Sequence, residues 1–271
     1  MRELITRTVF GALYVVVILA CIMSPYSMAS LMLVVVTIGA LEMCKLGEMR
    51  THRWQMIFII CLIIAFYVLS ALIALGVIPK RFLVLDLLFL MLPFIQALFS
   101  TKSSFPQIAA SSYGSLFFLS LPASLMIFMY DESSVGELAG HKLLFFIFIL
   151  VWVNDIFAYL TGTLFGKHKL FPRISPSKTI EGLVGGVLFT VVTVFVFCYI
   201  VDWMPMLIGV SMAVLVAVFG VLGDLCESMI KRQAGKKDSG NVIPGHGGIL
   251  DRVDSVLYVT PYLYVLLYLI K

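Results

Sequence analysis

The chain contains 271 residues, of which 61% are hydrophobic and only 13% are charged, and its formal net charge at pH 7 is +4. Because about 25% of the residues of a soluble domain are charged, this composition excludes an ordinary soluble fold and predicts an apolar surface that faces lipid. The five cysteines show no CxxC spacing, so we expect neither a disulfide framework nor a zinc site. We expect no nucleic-acid partner either.

Nine apolar runs predict nine membrane-spanning helices, since a helix needs roughly 20 apolar residues to cross a bilayer. The runs are approximately Val9–Met23, Met28–Cys44, Met56–Val77, Phe82–Phe99, Ala109–Tyr130, Leu143–Phe165, Ile180–Val201, Pro205–Ile230 and Val253–Ile270. We interpret the first run as a span rather than a cleaved signal because eight more follow it. Pro93 and Pro122 predict kinks in the fourth and fifth runs. The predicted fold is therefore an all-α, polytopic transmembrane helical bundle.

The distribution of basic residues predicts which loops face the cytoplasm. With a cytoplasmic N-terminus, 15 of the 19 Lys and Arg residues lie in inside segments and 4 lie outside, as the positive-inside rule requires. We therefore expect a multi-pass protein of the inner (cytoplasmic) membrane, with its polar cavity and active site open to the cytoplasm. Residues 1–142 are predicted to form an N-terminal half of about five spans, and residues 143–271 a catalytic half of about four spans with two cytoplasmic loops.

Carboxylates in or at the ends of the apolar runs indicate where a cavity lies, because a charge near the bilayer centre costs a few kcal/mol. Asp155 shares a helix face with Tyr159 and Gly162, which favours a cavity wall. Glu42 lies beside Lys45, and we interpret it as a packing or helix-end residue; the role of Asp86 stays open. The six carboxylates are Glu42, Asp86, Asp155, Glu181, Asp224 and Glu227.

Two acidic stripes flank one loop of the catalytic half. Asp224, Glu227, Ser228 and Lys231 follow i, i+3, i+4, i+7 spacing, so they lie on one helix face. Asp251, Asp254 and Ser255 begin the last helix with the same pattern. Carboxylates that converge from two helices suit a hard cation.

Two basic loops are candidate phosphate-binding elements. In the first, Ser175 is predicted as an N-cap and Pro176 as the first helical residue, which places free backbone N–H groups beside Lys178. The second, residues 231–254, is basic, then glycine-rich, then acidic. Glycines let such a backbone approach an anion closely.

The second loop carries the motif S-x-x-K-R, four residues, K-D, then H-G-G-x-x-D-R-x-D. Its fixed positions are Ser228, Lys231, Arg232, Lys237, Asp238, His246, Gly247, Gly248, Asp251, Arg252 and Asp254. The first loop fits S-P-x-K-T-x-E-G from Ser175 to Gly182, and Asn154-Asp155 opens an N-D-x-x-A-Y element. Together these motifs resemble those of phosphatidate cytidylyltransferases (CDP-diacylglycerol synthases), with the similarity densest in the C-terminal half.

The resemblance implies a Mg²⁺-dependent transfer of CMP from CTP to phosphatidate with release of pyrophosphate, and it leaves room for a second cation. It also implies contact with membrane lipids and suggests a homodimer. The residues implied in catalysis are Asp224, Lys231, Arg232, Asp251 and Arg252. Those implied in substrate binding are Ser175, Ser177, Lys178, Thr179, Lys237, His246, Gly247 and Gly248. The implied metal ligands are Asp224 and Asp251, with Asp254 and Asp155 as additional candidates.

Other classes of protein remain alternatives. A CTP-dependent polyprenol kinase would use a lipid alcohol as acceptor, and the full signature argues against it. The D-G-x-x-A-R motif of CDP-alcohol phosphotransferases is absent from the sequence. A secondary transporter could use carboxylate relays, but no inverted repeat is visible. A non-catalytic membrane scaffold would tolerate substitution of Asp251.

Overall fold

The computed structural model describes residues 2–47, 53–100, 104–201, 203–242 and 247–271, with side chains in the first helix described from Thr8 onwards. The α-helices of these residues are α1 (Arg2–Ile22), α2 (Pro25–Leu46), α3 (Arg53–Ala74), α4 (Asp86–Phe89), α5 (Leu92–Leu98), α6 (Phe105–Ser115), α7 (Leu121–Phe128), α8 (Glu132–Val135), α9 (His141–Phe165), α10 (Ile180–Val201), α11 (Met206–Gln233) and α12 (Leu250–Ile270). Short 3₁₀ segments cover Lys80–Leu85 and Gly136–Leu138.

The prediction of an all-α polytopic bundle is confirmed. Within the described residues, eight helical segments are long and apolar enough to cross a membrane, and α1 adds a shorter apolar stretch, Thr8–Ile22. Large apolar side chains stay exposed on the outer faces, as at Leu188 and Phe195 of α10. A soluble protein would bury such a band, so these faces are suited to lipid.

The fourth and fifth spans are interrupted, as their prolines predict. The fourth runs through the 3₁₀ segment Lys80–Leu85 into α4 and α5, and Pro93 lies in the first turn of α5. In the fifth, a π-helical segment, Leu116–Ser120, separates α6 from α7, which contains Pro122. Proline has no N–H to donate to the preceding turn, so regular α-helical bonding breaks there.

The first basic loop folds into a small antiparallel ribbon, which corrects the predicted helix start. Strand β1 (Lys169–Phe171) pairs with β2 (Ser175–Thr179), and α10 begins only at Ile180. The side chain of Thr179 accepts a hydrogen bond from the Gly182 N–H (3.1 Å), so Thr179 caps the helix and Ser175 does not. A strand of a two-stranded ribbon tolerates Pro176, because the N–H groups on its outer edge have no partner in the ribbon.

Close helix contacts bring the polar stripes together. A Cβ on Gly185 of α10 would lie 2.2 Å from Thr161 Oγ1 of α9, and one on Gly223 of α11 would lie 2.5 Å from Tyr258 Cβ of α12. Only glycine permits such short distances between helices. The polar faces of α9, α11 and α12 therefore surround one space.

The opposite end of the bundle carries a separate polar cluster. Lys80, which follows α3, contacts both Asp131 and Ser133 at the start of α8. Burial raises the pKa of the Asp131 carboxyl, but hydrogen bonds from Lys80, Ser133 and Ser134 outweigh burial and lower the pKa to about 2. These contacts join the loops on the face away from the cavity.

Candidate active site

A cavity of about 530 Å³ lies between α9, the ribbon, α10, α11 and the start of α12. Its size is within the usual range for small-molecule sites. Its acidic lining residues are Asp155, Asp224, Glu227, Asp238, Asp251 and Asp254, and its basic ones are Lys178, Lys231 and Arg252. Six carboxylates against three bases give the lining a formal charge of −3.

Three carboxylates form a compact cluster at the contact of α11 and α12. One oxygen from each of Asp224, Glu227 and Asp254 lies within 4.8 Å of the other two. Glu227 and Asp254 are buried, whereas Asp224 is partly exposed. Glu227 Oε1 accepts no hydrogen bond from the described residues. A buried oxygen with a free lone pair, beside two further carboxylates, can serve as a ligand for a hard cation.

Two lysines, one from each basic loop, reach this acidic cluster. Lys178 Nζ from the ribbon lies 2.6 Å from Asp224 Oδ2. Lys231 Nζ from the end of α11 lies 2.5 Å from Glu227 Oε2 and 2.6 Å from Asp251 Oδ1. The two loops therefore contribute to one cavity and do not form separate sites.

Asp251 is held by donors on both of its oxygens. Oδ1 accepts a hydrogen bond from Lys231, and Oδ2 accepts from the backbone N–H groups of Ser239 (3.1 Å) and Gly248 (2.8 Å). The Ser239 hydroxyl lies 3.1 Å from the same oxygen. The compact three-carboxylate cluster does not include Asp251, and metal ligation by this residue stays a prediction.

Most of the predicted site residues meet at the cavity. Those that line it are Asp155, Ser177, Lys178, Thr179, Asp224, Lys231, Asp251, Arg252 and Asp254. Five do not contribute to the lining: Ser175, Arg232, Lys237, Gly247 and Gly248. His246 lies outside the described residues. Arg232 is exposed and donates to the Lys236 carbonyl, and Gly248 is buried beneath Asp251.

Three carboxylates that are absent from the predicted site residues line the cavity or contact a loop that does: Glu227 and Asp238 line it, and Glu42 contacts the second basic loop. Glu227 lies three residues after Asp224 on α11, so the helical spacing was the signal in the sequence that could have assigned Glu227 to the site. Glu42 was interpreted from its neighbour Lys45, but its hydrogen-bond partners lie in the second basic loop and at the start of α12. No local pattern in the sequence predicts such distant partners.

The fold and the cavity define a polytopic membrane protein with an acidic, lysine-bearing site. The chain belongs to the cytidylyltransferase family, whose model matches residues 5–270. The resemblance inferred from the sequence motifs is thereby confirmed at the level of the family.

The chain is also similar to three proteins named phosphatidate cytidylyltransferase. It is 46% identical over 142 residues to that of Staphylococcus aureus (strain COL), 44% over 145 residues to that of Staphylococcus haemolyticus, and 46% over 145 residues to that of Staphylococcus epidermidis. The matched part is 52% of this chain in each comparison. The chain spans about half the length of these relatives, 53% of the first and 54% of the other two.

Proposed function

We propose that the chain is a phosphatidate cytidylyltransferase that transfers CMP from CTP to phosphatidate and releases pyrophosphate. The observation that carries the proposal is the combination, in one cavity, of a three-carboxylate cluster with a lysine from each of two loops. Family membership and the names of the three relatives support the same reaction.

The charge of the cavity supports a role for a divalent cation. A lining of formal charge −3 repels a triphosphate and a lipid phosphate unless cations neutralise it. The donor set fits Mg²⁺, which prefers carboxylate oxygen. We propose Asp224, Glu227 and Asp254 as its ligands, with Asp155 and Asp251 as further candidates for that ion or for a second one. When bound, Mg²⁺ would neutralise phosphate charge and polarise the phosphoryl group under attack.

The protein's own residues are proposed to bind and orient the two anions. Lys178 and Lys231 place positive charge beside the acidic cluster, and Arg252 adds a third cation to the lining. Ser177 and Thr179 line the same space and can contribute hydroxyl groups. Such fixed charges stabilise the charge that develops on transferring phosphoryl groups.

The proposed reaction needs no protein nucleophile. An oxygen of the phosphatidate phosphate forms a bond to the α-phosphorus of CTP, and the bond from that phosphorus to the bridging β-phosphate oxygen breaks. The electron pair leaves with pyrophosphate. The task of the site is therefore to bring two anions together in line.

The experiment uses purified protein in detergent with CTP, Mg²⁺ and either phosphatidate or a polyprenol. A liponucleotide is expected only with phosphatidate, and EDTA should abolish its formation. Asp224→Asn should lower kcat by about a hundredfold or more. Asp86→Asn is the matched control, because Asp86 lies away from the cavity and accepts a hydrogen bond from Ser70.

The alternatives predict different outcomes in the same assay. A product formed only with polyprenol would indicate the kinase, and substrate counterflow without CTP turnover would indicate a transporter. Near-wild-type kcat in Asp224→Asn would show that the reaction does not require the Asp224 carboxylate. We further propose that the cavity opens to the cytoplasm, because CTP is a cytosolic substrate and most basic residues lie in the segments predicted to be inside.

A further inference from the structure

Glu42 is a buried carboxylate on α2 that contacts the second basic loop and the start of α12. The residue is only 1% exposed. Its Oε1 accepts a hydrogen bond from the Ile249 N–H (3.1 Å), and its Oε2 accepts from the Leu250 N–H (3.1 Å) and from the Ser239 hydroxyl (2.9 Å). Three donors from one segment therefore converge on one side chain of a distant helix.

These contacts fix the amino end of α12. The first N–H groups of a helix have no partner within that helix, and Glu42 supplies an acceptor for those of Ile249 and Leu250. A negative charge at this end is also favoured by the helix dipole. Because Asp251 follows directly in the same turn, the position of its backbone depends on Glu42.

The Ser239 segment extends this support to the cavity. Ser239 donates its N–H to Asp251 Oδ2, and its hydroxyl lies within hydrogen-bond distance of both Asp251 and Glu42. Asp251 Oδ1 in turn accepts from Lys231 Nζ. An unbroken set of hydrogen bonds thus runs from α2 to the lysine that reaches the acidic cluster.

The glycines of the loop are fitted to the same carboxylate. A Cβ on Gly240 would lie 2.3 Å from Glu42 Oε1, and one on Gly248 would lie 2.6 Å from both Glu42 oxygens. The second basic loop also contacts α2 through Lys236, whose Nζ donates a hydrogen bond to the Lys45 carbonyl (3.2 Å). The loop backbone approaches α2 more closely than any residue with a side chain would allow.

We propose that Glu42 is a positioning residue that holds Asp251, and through it Lys231, in the geometry needed for transfer. The proposal rests on the proposed function, since it assigns Glu42 a role in that reaction. Glu42 does not line the cavity, so its effect is on the arrangement of other groups. The N-terminal half thereby supports the active site through a residue that lies outside the signature motifs.

The first test compares Glu42→Gln with Asp86→Asn, a carboxylate of the same half that accepts from Ser70 and is remote from the loop. Glutamine keeps the shape but offers one acceptor oxygen in place of two. We expect hydrogen exchange at the Ile249 and Leu250 amides to accelerate about tenfold or more. We also expect kcat to fall about tenfold to a hundredfold, while both KM values change less than about threefold. Asp86→Asn should change none of these.

A second test uses Gly240, because the three atoms nearest to a Cβ built there all belong to Glu42. Gly240→Ala should lower kcat strongly in the wild-type background but add little to Glu42→Ala, because the carboxylate it would strike is gone. Ser239→Ala provides a milder change should Glu42→Gln fail to fold, and it should also raise exchange at residues 249 and 250.

Several outcomes would overturn the proposal. Unchanged exchange at residues 249 and 250 in Glu42→Gln and Ser239→Ala would show that the contact does not hold the loop. If Glu42→Gln raises exchange at residues 249 and 250 but keeps the wild-type kcat, Glu42 acts in helix packing alone. Additive effects of Gly240→Ala and Glu42→Ala on kcat would lead to the same conclusion. A wild-type protein that makes no liponucleotide would refute the proposed function, and the exchange comparison would still decide whether Glu42 anchors the loop.

Discussion

Lys231 is buried between two carboxylates and serves both of them. Its Nζ lies 2.5 Å from Glu227 Oε2 and 2.6 Å from Asp251 Oδ1, and its side chain is 10% exposed. A buried ammonium is tolerated when it is paired, because removing it from water otherwise costs several kcal/mol. The residue therefore stabilises the contact between α11 and α12 and also keeps a positive charge at the cavity.

This double role predicts that Lys231→Ala is destabilising. Removal of the amine takes away the one cation that pairs with both Glu227 and Asp251 among the described residues, which should lower the free energy of unfolding by about 3–5 kcal/mol. Arg232→Ala is the control, because among the described residues its exposed guanidinium donates to the Lys236 carbonyl alone, and the expected loss is about 0.5 kcal/mol or less. Thermal unfolding in detergent measures both. Equal shifts would contradict the pairing. The catalytic role of Arg232 stays a prediction, and loss of activity in Arg232→Ala would support it.

The sequence predicted the acidic stripes correctly but not the partners of Glu42. Spacing along one helix determines which side chains share a face, so the positions of Asp224 and Lys231 followed from i, i+7 alone. The partners of Glu42 lie 197 to 208 positions away. Contacts of that separation depend on how helices pack, which neither hydropathy nor spacing specifies.

At the scale of elements, the start of α10 departs most from the sequence prediction. Ser175 and Pro176 fit the statistics of a helix start, but pairing with β1 keeps Ser175–Thr179 extended. Thr179 then caps the helix and packs against Gly162 and Gly166. The prediction that Lys178 lies beside the free N–H groups of a helix start is wrong, since Lys178 lies on a strand and contacts Asp224.

The cap assignment makes a testable distinction between Thr179 and Ser175. Thr179→Ala removes the acceptor of the Gly182 N–H and should cost about 1 kcal/mol of stability. Ser175→Ala should have almost no effect, because the Ser175 hydroxyl lies near only the Ser177 hydroxyl (3.4 Å) in the described structure. Chemical or thermal unfolding of the two variants in one detergent decides between them. A larger loss in Ser175→Ala would support the cap originally predicted.

The spans differ in how well hydropathy predicted them. The run Ile180–Val201 coincides with α10 at both ends, because a polar loop and a cap mark its start and the apolar run fills the rest. The fourth run, predicted as one span, consists of a 3₁₀ segment and two short helices. An apolar composition fits a regular helix and a broken one equally well. In this run, Pro93 was the feature of the sequence that indicated a break.

At the scale of the whole molecule, the proposed orientation places the two basic loops on one side of the membrane. Cysteine variants in a cysteine-free background test it, with an impermeant thiol reagent applied to intact cells. Val77→Cys, exposed at the opposite end, should react, whereas Lys237→Cys should react only after permeabilisation. Both side chains are exposed, so burial cannot account for a difference. Labelling of Lys237→Cys in intact cells would reverse the proposed orientation.

The central claim is that this cavity transfers a cytidylyl group and not a terminal phosphoryl group. The most direct measurement supplies the purified protein with phosphatidate, Mg²⁺ and CTP labelled at either the α- or the γ-phosphorus, and then extracts the lipid. The proposed reaction predicts that the α-label enters the lipid and that the γ-label leaves as pyrophosphate. In Asp224→Asn, neither labelled lipid nor labelled pyrophosphate should form. Recovery of the γ-label in the lipid, or of neither label, would contradict the account.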